Sequence, residues 1–306
     1  MLRVTFLGTS SSRPTVNRNV PALALKREGD VILFDCGEGT QRQMMRFGVG
    51  FGLQHIFITH LHADHYLGLT GLLRTMSLQG REEPVVIWGP PGAHETLRSA
   101  VELGGDRLLF AVSIREIPPG ESVTFDGYRI EAYRADHRGA ANGYVLRESL
   151  RLGRFDVRRA RELGVPEGPL FGRLHRGEAV ELPGGRRVDP SDVVGPPRSG
   201  RVVAYSGDTR PGPETVGVAR EADLLIHEAT FSEDERRRAV ETGHSTAREA
   251  AQIAAEAGAR RLVLTHLSAR YSEQPHRLLK EAKEIFPETI VAADGTVVVV
   301  AFRDQS

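Results

Sequence analysis

Five short, largely apolar runs in the chain are each followed, within a few positions, by a histidine or an aspartate. The runs occupy residues 56–59, 130–133, 202–205, 224–226 and 262–265. Apolar or alternating runs of this length are typical of β-strands. If these strands are neighbours, their ends converge on one edge of the core. The pattern therefore predicts a cluster of histidine and aspartate side chains at that edge.

The first run leads into His60-Leu61-His62-Ala63-Asp64-His65, which holds three imidazoles and one carboxylate in six residues. His60 and His62 can point the same way from an extended segment, because side chains alternate along a strand. Asp64 and His65 lie beyond the strand end and can turn toward a second centre. One stretch could therefore serve two metal ions. The alternative is a solvated polar loop, but four metal-competent residues in six positions rarely occur by chance.

A zinc ion needs more than two ligands, and the later runs supply candidates. These candidates are Asp136-His137, Asp208, His227-Glu228 and His266. Taken alone, a histidine at a strand end is more often structural, and Ser206-Gly207-Asp208 could be an ordinary turn. Their repeated placement favours ligands. Seven of the eleven histidines lie in or beside these motifs, at positions 60, 62, 65, 137, 227, 244 and 266. The remaining four are assigned to the surface or core: His55, His94, His175 and His276.

Length and composition fit a chain that can bury a large core. At 306 residues with 40% hydrophobic content, the chain can form one domain, or one domain with an insertion. There is no long apolar stretch, and the N-terminus has no signal-peptide pattern, so we expect a cytoplasmic protein with no membrane contact. The single cysteine, Cys36, excludes an internal disulfide and fits a reducing compartment. It lies in a turn, where a structural role is expected.

The formal net charge is zero, yet the segment from Arg147 to Arg198 has eleven arginines against eight acidic residues. Net charge says little about local patches, so a nucleic-acid partner is not excluded. The same segment has eight glycines and six prolines, and one plausible helix over residues 155–163. An irregular stretch of this length is typically functional or mobile.

Several longer motifs resemble one family. The chain resembles metallo-β-lactamase-fold hydrolases in its His60–His65 motif and later His, Asp and His. Within that superfamily it is similar to the short form of ribonuclease Z, the tRNA 3′-processing endonuclease, from Val4 to about Phe302. The motifs that carry the narrower resemblance are Phe6-Leu7-Gly8-Thr9-Ser10, the segment 34–41 (FDCGEGTQ), Ala135-Asp136-His137, His227-Glu228-Ala229-Thr230, His244-Ser245-Thr246 and the segment 265–271 (THLSARY).

The resemblance implies an α/β fold, a four-layer αβ/βα sandwich. Residues 1–306 would form a single catalytic domain, and residues 148–198 would form an inserted flexible arm that binds tRNA. The implied function is zinc-dependent removal of 3′ trailers from precursor tRNA, at or near the discriminator base. The products would be a 3′-hydroxyl on the tRNA and a 5′-phosphate on the trailer. A homodimer is also implied.

The ligand set and the resemblance together predict two Zn²⁺ per chain. His60, His62 and His137 would hold one ion, Asp64, His65 and His266 the other, and Asp208 would bridge them. Asp64 would also orient or deprotonate the attacking water. His244 is the candidate proton donor to the leaving oxygen, with Glu228 holding its tautomer.

The expected substrate contacts are Arg18, Asn19, Gly168, Pro169 and Arg270. The family usually has a Pro-x-Lys-x-Arg-Asn loop after the first strand, which here reads Pro14-Thr15-Val16-Asn17-Arg18-Asn19. Lysine is replaced by Val16. We expect this change to alter discrimination against mature CCA ends and to leave cleavage intact.

Two other functions fit part of the sequence. A small-molecule hydrolase on the same fold, such as a phosphodiesterase, arylsulfatase or lactonase, would share every zinc ligand. It would lack the arm and the His-Glu-Ala-Thr and His-Ser-Thr motifs. A non-catalytic RNA-binding member would have a degenerate site, whereas the ligand set here is complete. Measuring the zinc content per chain distinguishes this non-catalytic alternative from an enzyme.

Overall fold

Two seven-stranded sheets form the larger of two compact units in this computed structural model. The structure describes residues 1–103, 105 and 107–303. The larger unit combines Met1–Arg147 with the chain from Arg201 onward, and the smaller unit is Glu148–Gly200. Among the described residues, no helix combines the length and apolar character needed to cross a membrane.

The first sheet has the strand order β16-β1-β2-β3-β4-β5-β6. Its strands are β1 (Leu2–Gly8), β2 (Ala22–Arg27), β3 (Asp30–Phe34), β4 (His55–Phe57), β5 (Val85–Gly89), β6 (Val112–Glu116) and β16 (Val297–Val299). Strands β3 to β6 pair in parallel, while β16, β1, β2 and β3 pair antiparallel.

The second sheet has the order β15-β14-β13-β12-β9-β8-β7. Its strands are β7 (Ser122–Phe125), β8 (Tyr128–Arg134), β9 (Asn142–Glu148), β12 (Val202–Tyr205), β13 (Leu224–Glu228), β14 (Leu262–Thr265) and β15 (Thr289–Val291). Strands β12 to β15 are parallel, so their carboxyl ends lie along one edge of the sheet.

Helices of the larger unit cover the outer faces of both sheets. They are α1 (Thr40–Arg46), α2 (Ala63–Tyr66), α3 (Leu69–Leu78), α4 (His94–Glu102), α7 (Pro213–Val218), α8 (Arg236–Thr242), α9 (Ala247–Ala257) and α10 (Pro275–Lys283). Single 3-10 turns occur at Glu233–Glu235 and Ala269–Tyr271.

Side chains alternate between the two faces of a strand, and this alternation builds the layers of the fold. In β2, Leu23 and Leu25 join the core between the two sheets, whereas Ala22 and Ala24 face the core shared with α1 and α3. A third core packs α7, α9 and α10 on the second sheet. The result is helix, sheet, sheet, helix, so the αβ/βα sandwich expected of a metallo-β-lactamase fold is confirmed.

The five apolar runs all contribute strands, but these strands are not neighbours in one sheet. The first run overlaps β4 in the first sheet, and the other four lie in β8, β12, β13 and β14 of the second. Strand β9 also separates β8 from β12. The polar residues therefore meet because two stacked sheets present their strand ends at the same edge of the sandwich.

The smaller unit, Glu148–Gly200, has its own apolar core and more regular structure than the sequence pattern indicated. It contains α5 (Val157–Glu162), α6 (Pro169–His175), the hairpin β10 (Val180–Glu181) and β11 (Arg187–Val188), and a 3-10 turn at Pro190–Asp192. The expected helix over 155–163 corresponds to α5, whose N-cap Asp156 accepts a hydrogen bond from the Arg159 amide. The second helix, α6, was missed because it begins at Pro169 and contains Gly172, and both residue types usually indicate turns.

Candidate functional site

The His60–His65 segment changes conformation halfway along, as its spacing predicted. Helix α2 begins at Ala63 with the extended residue His62 as its N-cap. His60 and His62 therefore precede the helix, and Asp64 and His65 lie in its single turn. His60 and His65 are fully buried, whereas His62 is exposed.

One group of possible ligands consists of His60, His62, His137 and Asp208, with one ligand atom from each lying within 4.8 Å of the others. His60 Nε2 is 2.9 Å from His62 Nδ1, which is 3.3 Å from His137 Nε2. His60 Nε2 is 3.6 Å from Asp208 Oδ2. The members come from the ends of β4, β8 and β12, so the fold assembles them from both sheets.

A second group consists of Asp64, His65 and His266. Asp64 Oδ2 lies 3.6 Å from His65 Nε2 and 3.5 Å from His266 Nε2. Asp208 also reaches this group, because its Oδ2 is 3.4 Å from His65 Nε2 and its Oδ1 is 3.3 Å from His266 Nε2. Asp208 thus lies between the two groups.

These atoms fit the requirements of bound zinc. Two ligands about 2.0–2.1 Å from a tetrahedral ion lie about 3.3 Å apart, close to most of the distances above. Three ligand atoms are buried without a hydrogen-bond partner among the described residues: His65 Nε2, His266 Nε2 and Asp208 Oδ1. Buried polar atoms are rarely left unsatisfied, so converging lone pairs of this kind indicate a cation site.

The other nitrogen of most of these imidazoles is held by a neighbouring polar group. The contacts are His60 Nδ1 with Thr59 Oγ1 (3.0 Å), His65 Nδ1 with Asp35 Oδ2 (2.9 Å), His137 Nδ1 with the Gly243 carbonyl (2.7 Å) and His266 Nδ1 with Thr230 Oγ1 (3.0 Å). Such contacts fix the ring orientation and leave Nε2 free for a metal.

Asp35 is a site residue that the sequence did not single out as functional. It is fully buried, its backbone is left-handed with φ 56°, and its carboxylate also accepts hydrogen bonds from Thr59 and the Tyr205 hydroxyl. The available signal was a charged residue directly after the apolar strand β3. An acidic residue at that point rarely remains buried without a partner.

The electrostatics of the cluster favour positive charge. Burial alone lowers the pKa of His65, but the charges of Asp208, Asp35 and Asp64 raise it well above the ordinary value. Burial likewise opposes ionisation of Asp208, yet the neighbouring imidazoles His266 and His65 hold its pKa well below the usual range. Carboxylates packed this closely are stabilised by a cation among them.

His244 lies beside both groups, immediately before helix α9. Its Nδ1 is 2.8 Å from Glu228 Oε1 and 3.9 Å from Asp208 Oδ2. Burial lowers the pKa of His244, but the charge and hydrogen bond of Glu228 outweigh this and raise it to about 9. Asp208, His244 and His266 also form a possible ligand group. The geometry therefore allows His244 to act as a proton donor or as a ligand.

Helix α9 fixes the position of this histidine. Thr246 is the N-cap and forms a capping box with Glu249, and the helix ends at Gly258 with φ 63°. The helix buries an alanine-rich face that includes Ala250, Ala254 and Ala257 against the second sheet. The His-Ser-Thr motif is thus the entry to a well-anchored helix.

The structure does not favour Arg18 as an RNA contact. Its side chain is 6% exposed, and its guanidinium donates to Thr9 Oγ1 at 2.7 Å and to the Ala292 carbonyl at 2.6 Å. Arg18 was expected to reach the substrate, but burial assigns it to holding the loop. Asn19 donates to the Glu38 carbonyl at 2.8 Å, and Val16 is fully exposed.

The other expected substrate contacts lie elsewhere. Arg270 pairs with Glu235 and lies over the Phe231 ring at 5.5 Å. Gly168 and Pro169 belong to the smaller unit, where Pro169 is the first residue of α6. Gly168 has φ 129°, a backbone conformation that favours glycine.

Comparisons with other sequences identify close relatives. A model of the Anti-Pycsar protein Apyc1 matches residues 2–152, and a model of the beta-lactamase superfamily domain matches residues 179–267. Ribonuclease Z from Gemmatimonas aurantiaca is 55% identical over 306 residues, covering 99% of this chain and 98% of that protein. Ribonuclease Z from Myxococcus xanthus is 55% identical over 305 residues, covering 99% of each.

Solved structures agree with these relatives. The crystal structure of the short form of human tRNase Z is 31% identical, with a TM-score of 0.71, and covers 98% of this chain and 100% of that one. The metallo-beta-lactamase fold protein YhfI from Bacillus subtilis shares the fold at 21% identity, with a TM-score of 0.70, over 98% of this chain and 100% of that one. The chain therefore belongs to the ribonuclease Z family, a group of nucleases with the metallo-β-lactamase fold.

Proposed function

We propose that this protein is a zinc-dependent endoribonuclease that removes 3′ trailers from precursor tRNA. Cleavage at or near the discriminator base leaves a 3′-hydroxyl on the tRNA and a 5′-phosphate on the trailer. The observation that carries the proposal is the pair of ligand groups that share Asp208, with His244 and Glu228 alongside. The names of the relatives, ribonuclease Z and tRNase Z, supply the substrate class.

The proposed ligands follow the two groups. His60, His62 and His137 hold one zinc ion, Asp64, His65 and His266 hold the other, and Asp208 contributes to both. Zinc ions held there lower the pKa of water and neutralise charge on phosphoryl oxygens.

Asp64 is proposed to orient the attacking water. Burial opposes its ionisation, but His65 and His266 keep its pKa below the ordinary value, so it stays a carboxylate and can accept a hydrogen bond from the water. The Ser12 amide donates to Asp64 Oδ2 at 2.8 Å and fixes the direction of that oxygen.

His244 is proposed to protonate the leaving 3′-oxygen. Glu228 raises the pKa of His244 to about 9 and so favours the protonated ring that a general acid needs. Nδ1 is bound to Glu228, so Nε2 is the nitrogen available to the substrate.

The smaller unit, Glu148–Gly200, is proposed to bind the tRNA through its exposed arginines. The Arg158 side chain is 90% exposed, and its partner Glu162 lies one helical turn away. Exposed ion pairs of this kind contribute little energy, so a phosphate can replace the carboxylate. Contacts of this type read the shape of a folded RNA and not its sequence.

The oligomer and compartment are proposals from resemblance alone. We propose a homodimer that works in the cytoplasm. Light scattering at assay concentration tests the dimer, and a fully active monomer would contradict it.

The first experiment is cleavage of a 3′-extended precursor tRNA by the zinc-loaded protein, with both product ends mapped. A single cut near the discriminator base supports the proposal. If no precursor is cut while a small phosphodiester such as bis(p-nitrophenyl) phosphate is hydrolysed, the protein is a small-molecule phosphodiesterase. If neither is hydrolysed while zinc is bound, the non-catalytic alternative is supported.

The role of the smaller unit is tested by R158Q, with R237Q as its matched control. Both arginines are about equally exposed, at 90% and 92%, and both pair with a glutamate four residues later in a helix. Only Arg158 belongs to the smaller unit. R158Q should raise KM for precursor tRNA and flatten its salt dependence, with hydrolysis of the small phosphodiester unchanged. Equal effects of the two variants would contradict this role.

A deletion gives the stronger version of the test. Arg151 and Arg198 pair through their backbones, with an N–O distance of 2.8 Å, so a short linker can replace residues 152–197. The deletion should abolish precursor cleavage and retain hydrolysis of the small phosphodiester.

The V16K substitution in the intact chain tests CCA discrimination, measured as the preference between trailers with and without CCA. An unchanged preference would refute the role expected for Val16.

A further inference from the structure

Thr230 lies two residues beyond Glu228 and contacts both Glu228 and the proposed ligand His266. It is 2% exposed, and its hydroxyl oxygen is 2.7 Å from Glu228 Oε2 and 3.0 Å from His266 Nδ1. Thr230 is the last residue of the His227-Glu228-Ala229-Thr230 motif, and the motif alone indicates no function for it. Its position between the possible zinc ligand His266 and the Glu228 carboxylate, which holds His244, indicates a function.

The direction of these hydrogen bonds follows from counting protons. The Thr230 hydroxyl has one proton and three possible acceptors: Glu228 Oε2 at 2.7 Å, His266 Nδ1 at 3.0 Å and the His266 carbonyl at 3.1 Å. The carboxylate is nearer and charged, so it is the stronger acceptor. The hydroxyl oxygen must then accept from His266, which places a proton on Nδ1.

This proton leaves a lone pair on His266 Nε2. That nitrogen has no hydrogen-bond partner among the described residues and lies 3.3 Å from Asp208 Oδ1 and 3.5 Å from Asp64 Oδ2. Three acceptors thus face one another, an arrangement that a cation satisfies. The opposite tautomer would place an N–H group where the cation binds.

The backbone of His266 also needs an external constraint. Its φ of 57° lies in the left-handed region, which is unfavourable for a residue other than glycine. A ring at the end of a strained backbone keeps its orientation only when neighbouring contacts define it.

We propose that Thr230 is a positioning residue, whose hydroxyl sets the tautomer of the zinc ligand His266 and ties that ligand to the Glu228–His244 pair. The inference rests on the proposed function, because it takes His266 as a ligand. One carboxylate therefore orients two imidazoles: Glu228 Oε1 holds His244 directly, and Oε2 holds His266 through Thr230. The ligand His65 is independent of Thr230, since Asp35 holds its Nδ1.

The test compares T230V, which keeps the shape and loses the hydroxyl, with T230S, which keeps the hydroxyl. Metal-free proteins are titrated with Zn²⁺ against a chromophoric chelator, and with Co²⁺ while the visible spectrum is recorded. T230V should bind one of two metal equivalents about 10–100-fold more weakly and change the cobalt bands, because loss of such a partner has this effect. T230S should behave like wild type.

Two results would overturn the inference: wild-type affinity for both equivalents in T230V, or a loss in T230S as large as that in T230V. Wild-type protein that took up no metal would overturn the proposed function and this inference with it. If the wild-type protein takes up metal normally and T230V does not change the metal affinity, this inference is overturned and the proposed function is not.

A measurement on wild type alone guards against misfolding of the variants. In zinc-loaded protein, ¹H–¹⁵N correlation spectra of the histidine rings should show His266 protonated at Nδ1 and protected from exchange. Metal coordination through Nδ1, or an unprotected Nδ1 proton, would refute the assignment.

Discussion

Asp208 lies within reach of both groups of proposed ligands. Its two carboxylate oxygens lie 3.3–3.6 Å from imidazole nitrogens of His60, His65 and His266. Two adjacent ions need a shared anion because their charges otherwise repel. The burial of Asp208 among three imidazoles therefore serves both groups of proposed ligands.

Replacing Asp208 tests this shared role. D208A should reduce zinc content toward zero and abolish precursor cleavage, because it removes a ligand from both groups. Zinc per chain is measured by atomic emission after dialysis. D126A, which alters an exposed carboxylate in the β7–β8 turn of the same sheet, is the control and should retain full zinc. Retention of one tightly bound ion in D208A would show that Asp208 serves only one group.

His244 can be separated from the metal ligands by experiment. H244A should lower the single-turnover cleavage rate about 10²-fold or more while zinc content stays normal, since a general acid contributes about this much. A loss of zinc in H244A would instead make His244 a ligand, which its place in a group with Asp208 and His266 allows. An unchanged rate would remove it from the mechanism.

At the scale of single elements, α9 links stability to the site. Thr246 caps the helix, and its neighbour Glu249 pairs with Arg210, whose guanidinium also donates to the His244 carbonyl. The helix start and the position of His244 are therefore set by the same contacts.

The cap predicts a measurable effect. T246A should lower the free energy of unfolding by about 1 kcal/mol, the usual value for a lost N-cap, and T246S should restore most of it. Urea unfolding of the zinc-loaded protein measures this difference. T242A alters the half-buried last residue of α8, whose hydroxyl donates to the Arg238 carbonyl, and should destabilise the protein less than T246A because Thr242 is not an N-cap. Equal destabilisation by T246A and T242A would contradict the capping role.

At the scale of the whole molecule, zinc held by the proposed ligands would connect the two sheets. The proposed ligands come from β4 and α2 of the first sheet region and from the ends of β8, β12 and β14 of the second. Without a cation, Asp35, Asp64 and Asp208 repel one another in a buried space. Metal binding and folding stability should therefore be coupled.

Removing the metal tests this coupling. Protein freed of metal with a chelator should melt at a lower temperature than the loaded protein. Zinc at 100 times its dissociation constant adds about 2.7 kcal/mol to the free energy of unfolding. Zinc should restore the melting temperature, whereas Mg²⁺ should not, because imidazole nitrogens are poor ligands for it. Identical melting curves with and without zinc would count against a buried metal centre.

The sequence alone indicated which metal-competent side chains the chain offers, and it determined much of the local structure. The five apolar runs, the His60–His65 motif and the later His and Asp residues could be assigned because strand patterns and ligand types are local properties. Helix α6 was missed since Pro169 and Gly172, which usually indicate turns, lie at its start and in its middle.

Only the tertiary structure decided which of these residues meet. The five runs belong to two sheets, and their ends come together because the sheets stack, which no local pattern encodes. Packing gives Arg18, an expected RNA contact, a buried position and a hydrogen bond to the Ala292 carbonyl. The hydrogen bonds of Asp35 with His65 and of Thr230 with His266 also depend on packing, since each joins residues 30 or more positions apart. Sequence fixes which groups a chain can offer, and long-range packing decides which of them become partners.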